Sequence, residues 1–462
     1  MRAIAGSILV GLCAGSWVLP ARADDSRPTL FIKVQRLIRR PGDELQNAAL
    51  IVRGGKIIAV GTDLQKPDGA REIDGAVACA GFIDAWAAVG IGADSLQDPG
   101  TSAATRTVDG IDPWSNEHIR REVLRAGVTV VRVQAGLSSR VGGVGAMLRV
   151  APGLPTGPSG EDVVLADCDV SMSIGLAVPS SDQGEKTDPF ERVADLDRVV
   201  SAVESGKGYL IARTEHRYEL EEWEKKISEK ETELTKDAKK AKKDREKEQK
   251  DATEKGKPFQ EKKYKEDKRP QPPRFDEENE VLARVADGSM PLLVQANRSA
   301  EIRGLLKGTS GFDRLRLILA SGADALTCVQ GLTERGVAVL IAPVPRGRVA
   351  TEDSSEASLS LAGDLARAGV QILLGSGGMN PGSSRDLPLL AQLAIGNGLD
   401  REKAFDALTL GAAAAFDVAN RLGSLEPGKD AEILVLDGAP LTSTAQVRYV
   451  VSSGRLVLEP QN

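Results

Sequence analysis

Hydrophobic and polar positions along the chain follow two periods, and their order predicts the architecture. From Thr29 to Val60 they alternate: "TLFIKVQRLI" and "AALIVRGGKIIAVG" read as strands, with Gly54-Gly55 as a two-residue hairpin turn. The far end mirrors this in "AEILVLDG" and "VRYVVSSGRLVLEP", turning at Ser453-Gly454. Between the ends, short apolar runs alternate with helix-period stretches. "NEHIRREVLRAG" leads into "GVTVVRVQ", "PLLVQA" precedes "SAEIRGLLKG", and "RLRLILA", "GVAVLIAP" and "GVQILLGSG" follow in turn. Continuous apolar strands separated by helices predict a parallel sheet with helices outside it, either a closed barrel or a doubly wound sheet. Residues 24–80 and 422–462 are expected to form one β domain built from both ends, and residues 81–421 the α/β domain.

One stretch departs from this alternation. Glu219 to Lys268 carries 17 Lys/Arg and 16 Asp/Glu. Tyr209, His216, Leu220, Trp223, Ile227 and Leu234 recur three, four or seven apart, a narrow helical seam that fades after Ala241. Pro258, Pro270, Pro272 and Pro273 end any helix. Residues 216–273 therefore read as an insertion, a solvated helical or partly disordered arm, with a partner-docking coiled coil as the sharper alternative.

Composition narrows the function classes. A net charge of -6 and balanced charge in the arm argue against a nucleic-acid partner. Arg2, the apolar run "AIAGSILVGLCAGSWVL", Pro20 and Ala21-Arg22-Ala23 have the layout of a secretory signal peptide over residues 1–23, and predict a periplasmic or secreted protein with no membrane span. Cys79, Cys168 and Cys328 are scattered and without CxxC spacing, so they read as buried apolar residues rather than a disulfide framework or zinc knuckle.

Several stretches together resemble the amidohydrolase superfamily, in particular its exported members related to imidazolonepropionase and dihydroorotase. "AALIVRGGKIIAVG" with "GAREIDGAVACAGFIDAW" is similar to the entry into that family's barrel. "GLDREKAFDALTLGAAAAFDV" and "RLGSLEPGKDAEILVLDGAPL" are similar to its last barrel helix and return to the small domain. "GIDPWSNEHIRREVLRAGVTVVRVQAG" with "VGGVGAML" resembles its second and third units. The resemblance implies a (β/α)8 TIM-like barrel with a composite β-sandwich from both termini, here carrying the charged helical insertion.

It also implies a catalytic zinc or another divalent metal, held at the C-terminal ends of barrel strands by imidazole and carboxylate lone pairs. Carried over position by position, the family's His-x-His falls on Trp86 and Ala88. A later histidine falls on Gln295, the next on Ser321, and the aspartate on Gly377. None supplies an imidazole or a carboxylate. The chain has only two histidines: His118 reads as a surface residue near a helix start, His216 as part of the arm's seam. Asp84, equivalent to a structural aspartate, with Asn297 and Ser376, are the other pocket candidates.

Other chemistry is weakly marked. There is no Gly-x-Ser-x-Gly elbow. "RVGGVGAM" and "GSGGMNPGSS" read as glycine-rich loops after strands rather than phosphate cradles, although Ser376 with Gly377 and Gly378 can present backbone N–H groups at a pocket mouth. The expectation is thus a pseudoenzyme: no catalytic residue, no metal and no cofactor, a barrel kept as a scaffold or as a binder of a small molecule or protein partner. Trp86 would stack, and Gln295 and Asn297 would hydrogen-bond. Two alternatives stand beside it: a hydrolase of non-peptide carbon–nitrogen bonds using an unrecognised site, and an interaction module acting through the arm. Self-association is left open.

Overall fold

The computed structural model describes residues 28–91, 102–112, 117–134, 140–151, 162–175, 189–255, 268–343, 358–378 and 380–460. The expected signal peptide lies outside them.

The two chain ends share one seven-stranded sheet. Strands β1 (Leu30–Arg40), β2 (Asp43–Arg53), β3 (Lys56–Gly61) and β4 (Arg71–Ala80) come from the N-terminal side. β13 (Ile433–Leu436), β14 (Val447–Ser452) and β15 (Arg455–Leu458) come from the C-terminal side. The order is β15-β14-β13-β4-β1-β2-β3, so the joint is the antiparallel pair β4–β13, in which Ala80 faces Ile433 and Val77 faces Leu436. Both expected hairpin turns form with positive φ at both central residues, 56° and 83° at Gly54-Gly55 and 49° and 74° at Ser453-Gly454, as a type I′ turn requires. The turns touch: a Cβ on Gly454 would lie 2.6 Å from the Cα of Gly55. Leu30, Ile32, Leu50, Ile433, Val435 and Val451 form this sheet's core.

The middle of the chain forms the barrel. Its strands are β5 (Phe82–Ala87), β6 (Val128–Val133), β7 (Val141–Arg149), β8 (Val163–Ser173), β9 (Leu292–Ala296), β10 (Leu317–Ser321), β11 (Ala338–Ile341) and β12 (Ile372–Leu374). They hydrogen-bond in sequence order, with β5 and β12 at the two ends of a nearly closed sheet. Outside it lie α1 (Glu117–Arg125), α2 (Pro189–Lys255), α3 (Glu277–Ala286), α4 (Ser299–Gly308), α5 (Val329–Glu334), α6 (Leu361–Arg367), α7 (Leu387–Gly396), α8 (Arg401–Ala407) and α9 (Leu410–Ala415). The strands read as near-continuous apolar runs because helices cover one face and the barrel interior the other. Ile83, Val130, Met147, Leu293, Ile318, Leu340 and Leu373 point inward, where Phe416, just after α9, joins them.

One segment departs from a uniform βα repeat. β7 is antiparallel to both β6 and β8, and no helix of the described residues separates the three. Its sequence contains "VGGVGAM", read above as a loop; it is a strand. Glycine is needed there because other groups occupy the side-chain space. Gly143 has φ 77°, and its Cβ would lie 2.4 Å from the Thr105 carbonyl oxygen; a Cβ on Gly145 would lie 2.4 Å from Asp169 Oδ1.

The barrel and the composite sheet are tied by charge. Buried Arg149 donates through Nε to Glu432 Oε1 at 2.7 Å and through Nη2 to Asp430 Oδ2 at 2.6 Å. Arg421 Nη2 reaches the same Asp430 oxygen at 2.8 Å, and Lys56 pairs with Asp430 Oδ1. Burial acts against the ionised Arg149, but Glu432 and Asp430 outweigh it and raise its pKa.

Candidate functional site at the barrel mouth

Functional groups of a barrel of this kind sit where its parallel strands end. Along the seam between β5 and β12 a single buried carboxylate organises the mouth. Asp84 Oδ1 accepts hydrogen bonds from the backbone N–H of Trp86 at 3.0 Å and of Ser376 at 2.9 Å, and Oδ2 accepts from Ser384 Oγ at 2.7 Å. Ser376 Oγ in turn donates to the Trp86 carbonyl at 3.1 Å. Burial raises the Asp84 pKa, and the donors from Ser376, Ser384 and Trp86 hold it back. Asp84 is thus a latch between the first and last strands.

Trp86 is buried against the inner apolar cluster, and a Cβ on Gly375 would lie 2.5 Å from its Cβ. Ala88 packs with the outer layer between strands and helices. Gly377 has φ 86°, a conformation that favours glycine.

The second group of expected residues meets at β9 and β10. Leu293 joins the inner cluster while Leu292, Val294 and Ala296 join the outer one, so alternation turns Gln295 inward. Its side-chain amide makes no hydrogen bond to the described residues. Asn297 behaves differently. Its Oδ1 accepts from Ser321 Oγ at 2.7 Å, and its backbone N–H donates to Glu301 Oε2 at 3.0 Å. Asn297 and Ser321, the latter at φ 73°, therefore fasten the ends of two strands together.

Deeper in the barrel lies a feature the sequence reading did not single out. Arg132 on β6 and Asp169 on β8 are fully buried and form a bidentate pair, Nε to Oδ1 at 3.0 Å and Nη2 to Oδ2. Arg132 Nη1 donates to Gln134 Oε1, Cys168 Sγ donates to Asp169 Oδ1 at 2.8 Å, and the guanidinium lies 5.9 Å from the Phe416 ring centre. Burial disfavours the guanidinium's charge, yet Asp169 beside it raises its pKa above the ordinary value. Burial and the same carboxylate push the Cys168 thiol well up, which keeps it protonated and unreactive. Above the pair, alternation along β8 turns Ser171 and Ser173 inward, and Ser173 lies opposite Gln295. From the floor upward, the interior is apolar, then a neutralised ion pair, then amides and hydroxyls.

This donor set does not fit a divalent metal ion. The strand-end positions onto which the resemblance carries the metal ligands, Trp86, Ala88, Gln295, Ser321 and Gly377, present an indole, a methyl group, a carboxamide, a hydroxyl already committed to Asn297, and a glycine. Among the described residues, no group of three or more His, Cys, Asp or Glu is placed to bind a metal. His118 is exposed on α1, and the His216 ring lies 3.4 Å from the Pro270 carbonyl oxygen in the arm.

A sequence model of the amidohydrolase family matches residues 362–458. Imidazolonepropionase from two strains of Porphyromonas gingivalis is 40% identical over 89 residues, 19% of this chain and 21% of the relative, so the match spans about a fifth of the curated relatives' length. The fold is similar to that of an amidohydrolase from Thermotoga maritima MSB8, with a TM-score of 0.66 and 21% identity over 93% of this chain and 100% of that one. The chain is thus similar to the amidohydrolase family in sequence over residues 362–458, and to an amidohydrolase in fold. An ochratoxinase from A. niger has a similar fold, at a TM-score of 0.52 and 15% identity, covering 94% of this chain and 96% of that one. The matched segment, from α6 to β15, supplies Gly375, Ser376 and Ser384, which close the barrel over Asp84.

Proposed function

We propose that this chain is an exported binding or scaffold protein that works without a metal, its barrel mouth taking a small neutral molecule rich in hydrogen-bond acceptors. The observation that carries the reading is the replacement of lone-pair donors at the strand ends by neutral groups, with the Gln295 amide unengaged by the described residues. A pocket of this kind orients a ligand through a few polar contacts on an apolar wall, which Trp86 provides. The layout of residues 1–23 supports delivery to the periplasm or beyond.

Metal analysis of the mature chain, expressed with zinc and manganese supplied, tests this. The expected result is a substoichiometric metal content and no hydrolysis of hydantoin, dihydrouracil or imidazolone. Thermal stabilisation by one of these rings, lost in Gln295→Ala and Trp86→Ala, would support the binding role. One tightly held equivalent of metal together with turnover would end it. The match to imidazolonepropionase favours a second reading, hydrolysis of a non-peptide carbon–nitrogen bond without a metal. Turnover that survives chelation and disappears in the Trp86→Ala/Gln295→Ala variant would favour that reading over the first.

A further inference from the structure

The helix α2 is both a barrel helix and the arm. Its root is keyed into the fold. The Gly175 N–H, just past β8, donates to buried Asp195 Oδ2 at 3.1 Å. Leu196 and Val200 fill the space over Gly304 and Gly308, where a Cβ would lie 2.6 and 2.7 Å from them. Gly206 presses on the Leu282 carbonyl in α3, and Arg213 pairs with Glu280. Beyond Arg217 the helix leaves the barrel and continues to Lys255, a projection of about 54 Å from Glu219 at 1.5 Å per residue.

The near-neutral arm is not uniformly neutral. Glu219 to Glu233 holds seven acidic and three basic residues, whereas Lys236 to Lys255 holds nine basic and six acidic. The block centres are separated by about 30 Å of helix, several times the ~8 Å over which charges interact at physiological salt. Within one helix the two blocks therefore do not meet. A second arm running the opposite way brings such blocks together, because each acidic block then lies along the other's basic block. A parallel partner would set like against like.

Phe190 and Val193 lie exposed at the start of α2, away from the arm, whereas Tyr218 falls where such a partner would lie. Ile211 is 47% exposed and Tyr218 60% exposed, and, seven residues apart, they share one face of the helix root. With the arms centred between the two blocks, near residue 234, Tyr218 lies beneath the distal turns of the second copy.

We infer that the arm is a self-association device: two copies of this chain pair through antiparallel arms in a two-fold, self-complementary contact. The charge segregation carries it, independently of what the barrel mouth binds. Sedimentation of the full mature chain at about 50 and 500 mM salt tests it; the expected result is a dimer at low salt that dissociates at high salt. Reversing the distal block with Lys239→Glu/Lys240→Glu/Lys242→Glu/Lys243→Glu should weaken the dimer by roughly tenfold or more, with barrel melting unchanged. Adding Glu219→Lys/Glu221→Lys/Glu222→Lys/Glu224→Lys to the same chain should restore it. A monomer at low salt, or a dimer indifferent to the first reversal and to deletion of residues 219–268, would overturn the inference. So would a monomeric arm that instead binds duplex DNA or anionic vesicles.

Discussion

Asp169→Asn is the sharpest test of how the barrel interior is built. In the native chain the Arg132 guanidinium is fully buried and places Nε and Nη2 on Asp169 and Nη1 on Gln134. The substitution keeps the shape and removes the countercharge. A buried ion pair broken at one end costs about 3–5 kcal/mol, because the remaining charge is left in a medium that solvates it poorly. Replacing both ends by apolar residues, Arg132→Met with Asp169→Leu, removes that charge as well, and should fall within about 2 kcal/mol of the native chain. Strong non-additivity is therefore expected, the double variant being more stable than Asp169→Asn alone. Equilibrium urea unfolding followed by tryptophan fluorescence and far-UV circular dichroism measures this, provided the two transitions coincide. A loss below about 1 kcal/mol for Asp169→Asn, or a double variant less stable than the single, would refute the reasoning.

Asp84→Ala strands the N–H groups of Trp86 and Ser376 and should cost about 2–4 kcal/mol, whereas Asp84→Asn, which keeps an acceptor, should cost less; urea midpoints order the two. Gly145→Ala forces a methyl group against Asp169 and should destabilise by about 1–3 kcal/mol in the same assay, while alanine at Gly69, where a Cβ meets nothing within 4 Å, is hindered only by its φ of 72° and should cost less. Burial raises the Asp162 carboxyl to about 6, against the pull of Arg120, Arg149 and Arg455. Its favourable contribution is complete below the ordinary value of about 3.9 and is lost as pH rises through about 6, so Asp162→Asn should flatten the stability profile over that window; an unchanged profile would contradict this.

Much of the fold was legible because burial and turn geometry leave local marks. Five of the middle apolar runs became strands at the expected places, and the two positive-φ turns fell on Gly54-Gly55 and Ser453-Gly454. The glycines of β7 misled because their small size answers to Thr105 and Asp169, groups remote in sequence. The Arg132–Asp169 pair spans 37 residues, and no local period reports such a contact. A trace existed: Arg132 and Gln134 alternate inside "VVRVQ", and polar residues at that period within an apolar strand face something specific. At the mouth, the hold of Ser321 on the Asn297 side-chain oxygen and of Glu301 on its backbone N–H is likewise a contact that no local pattern reports. The arm is also the outer part of a longer helix, which its charge pattern does not report. Helix α2 starts at Pro189 rather than near 216, since its first turns are an ordinary amphipathic barrel helix.

Because β4 is flanked by β1 on one side and β13 on the other, the small domain needs a strand from near each end of the polypeptide. During synthesis β4 must wait, one edge bare, while about 350 residues emerge before its neighbour arrives. An early stop that spares the whole barrel would still leave that edge open to pairing with other chains, so loss of the last forty residues should show as aggregation rather than as a smaller folded product.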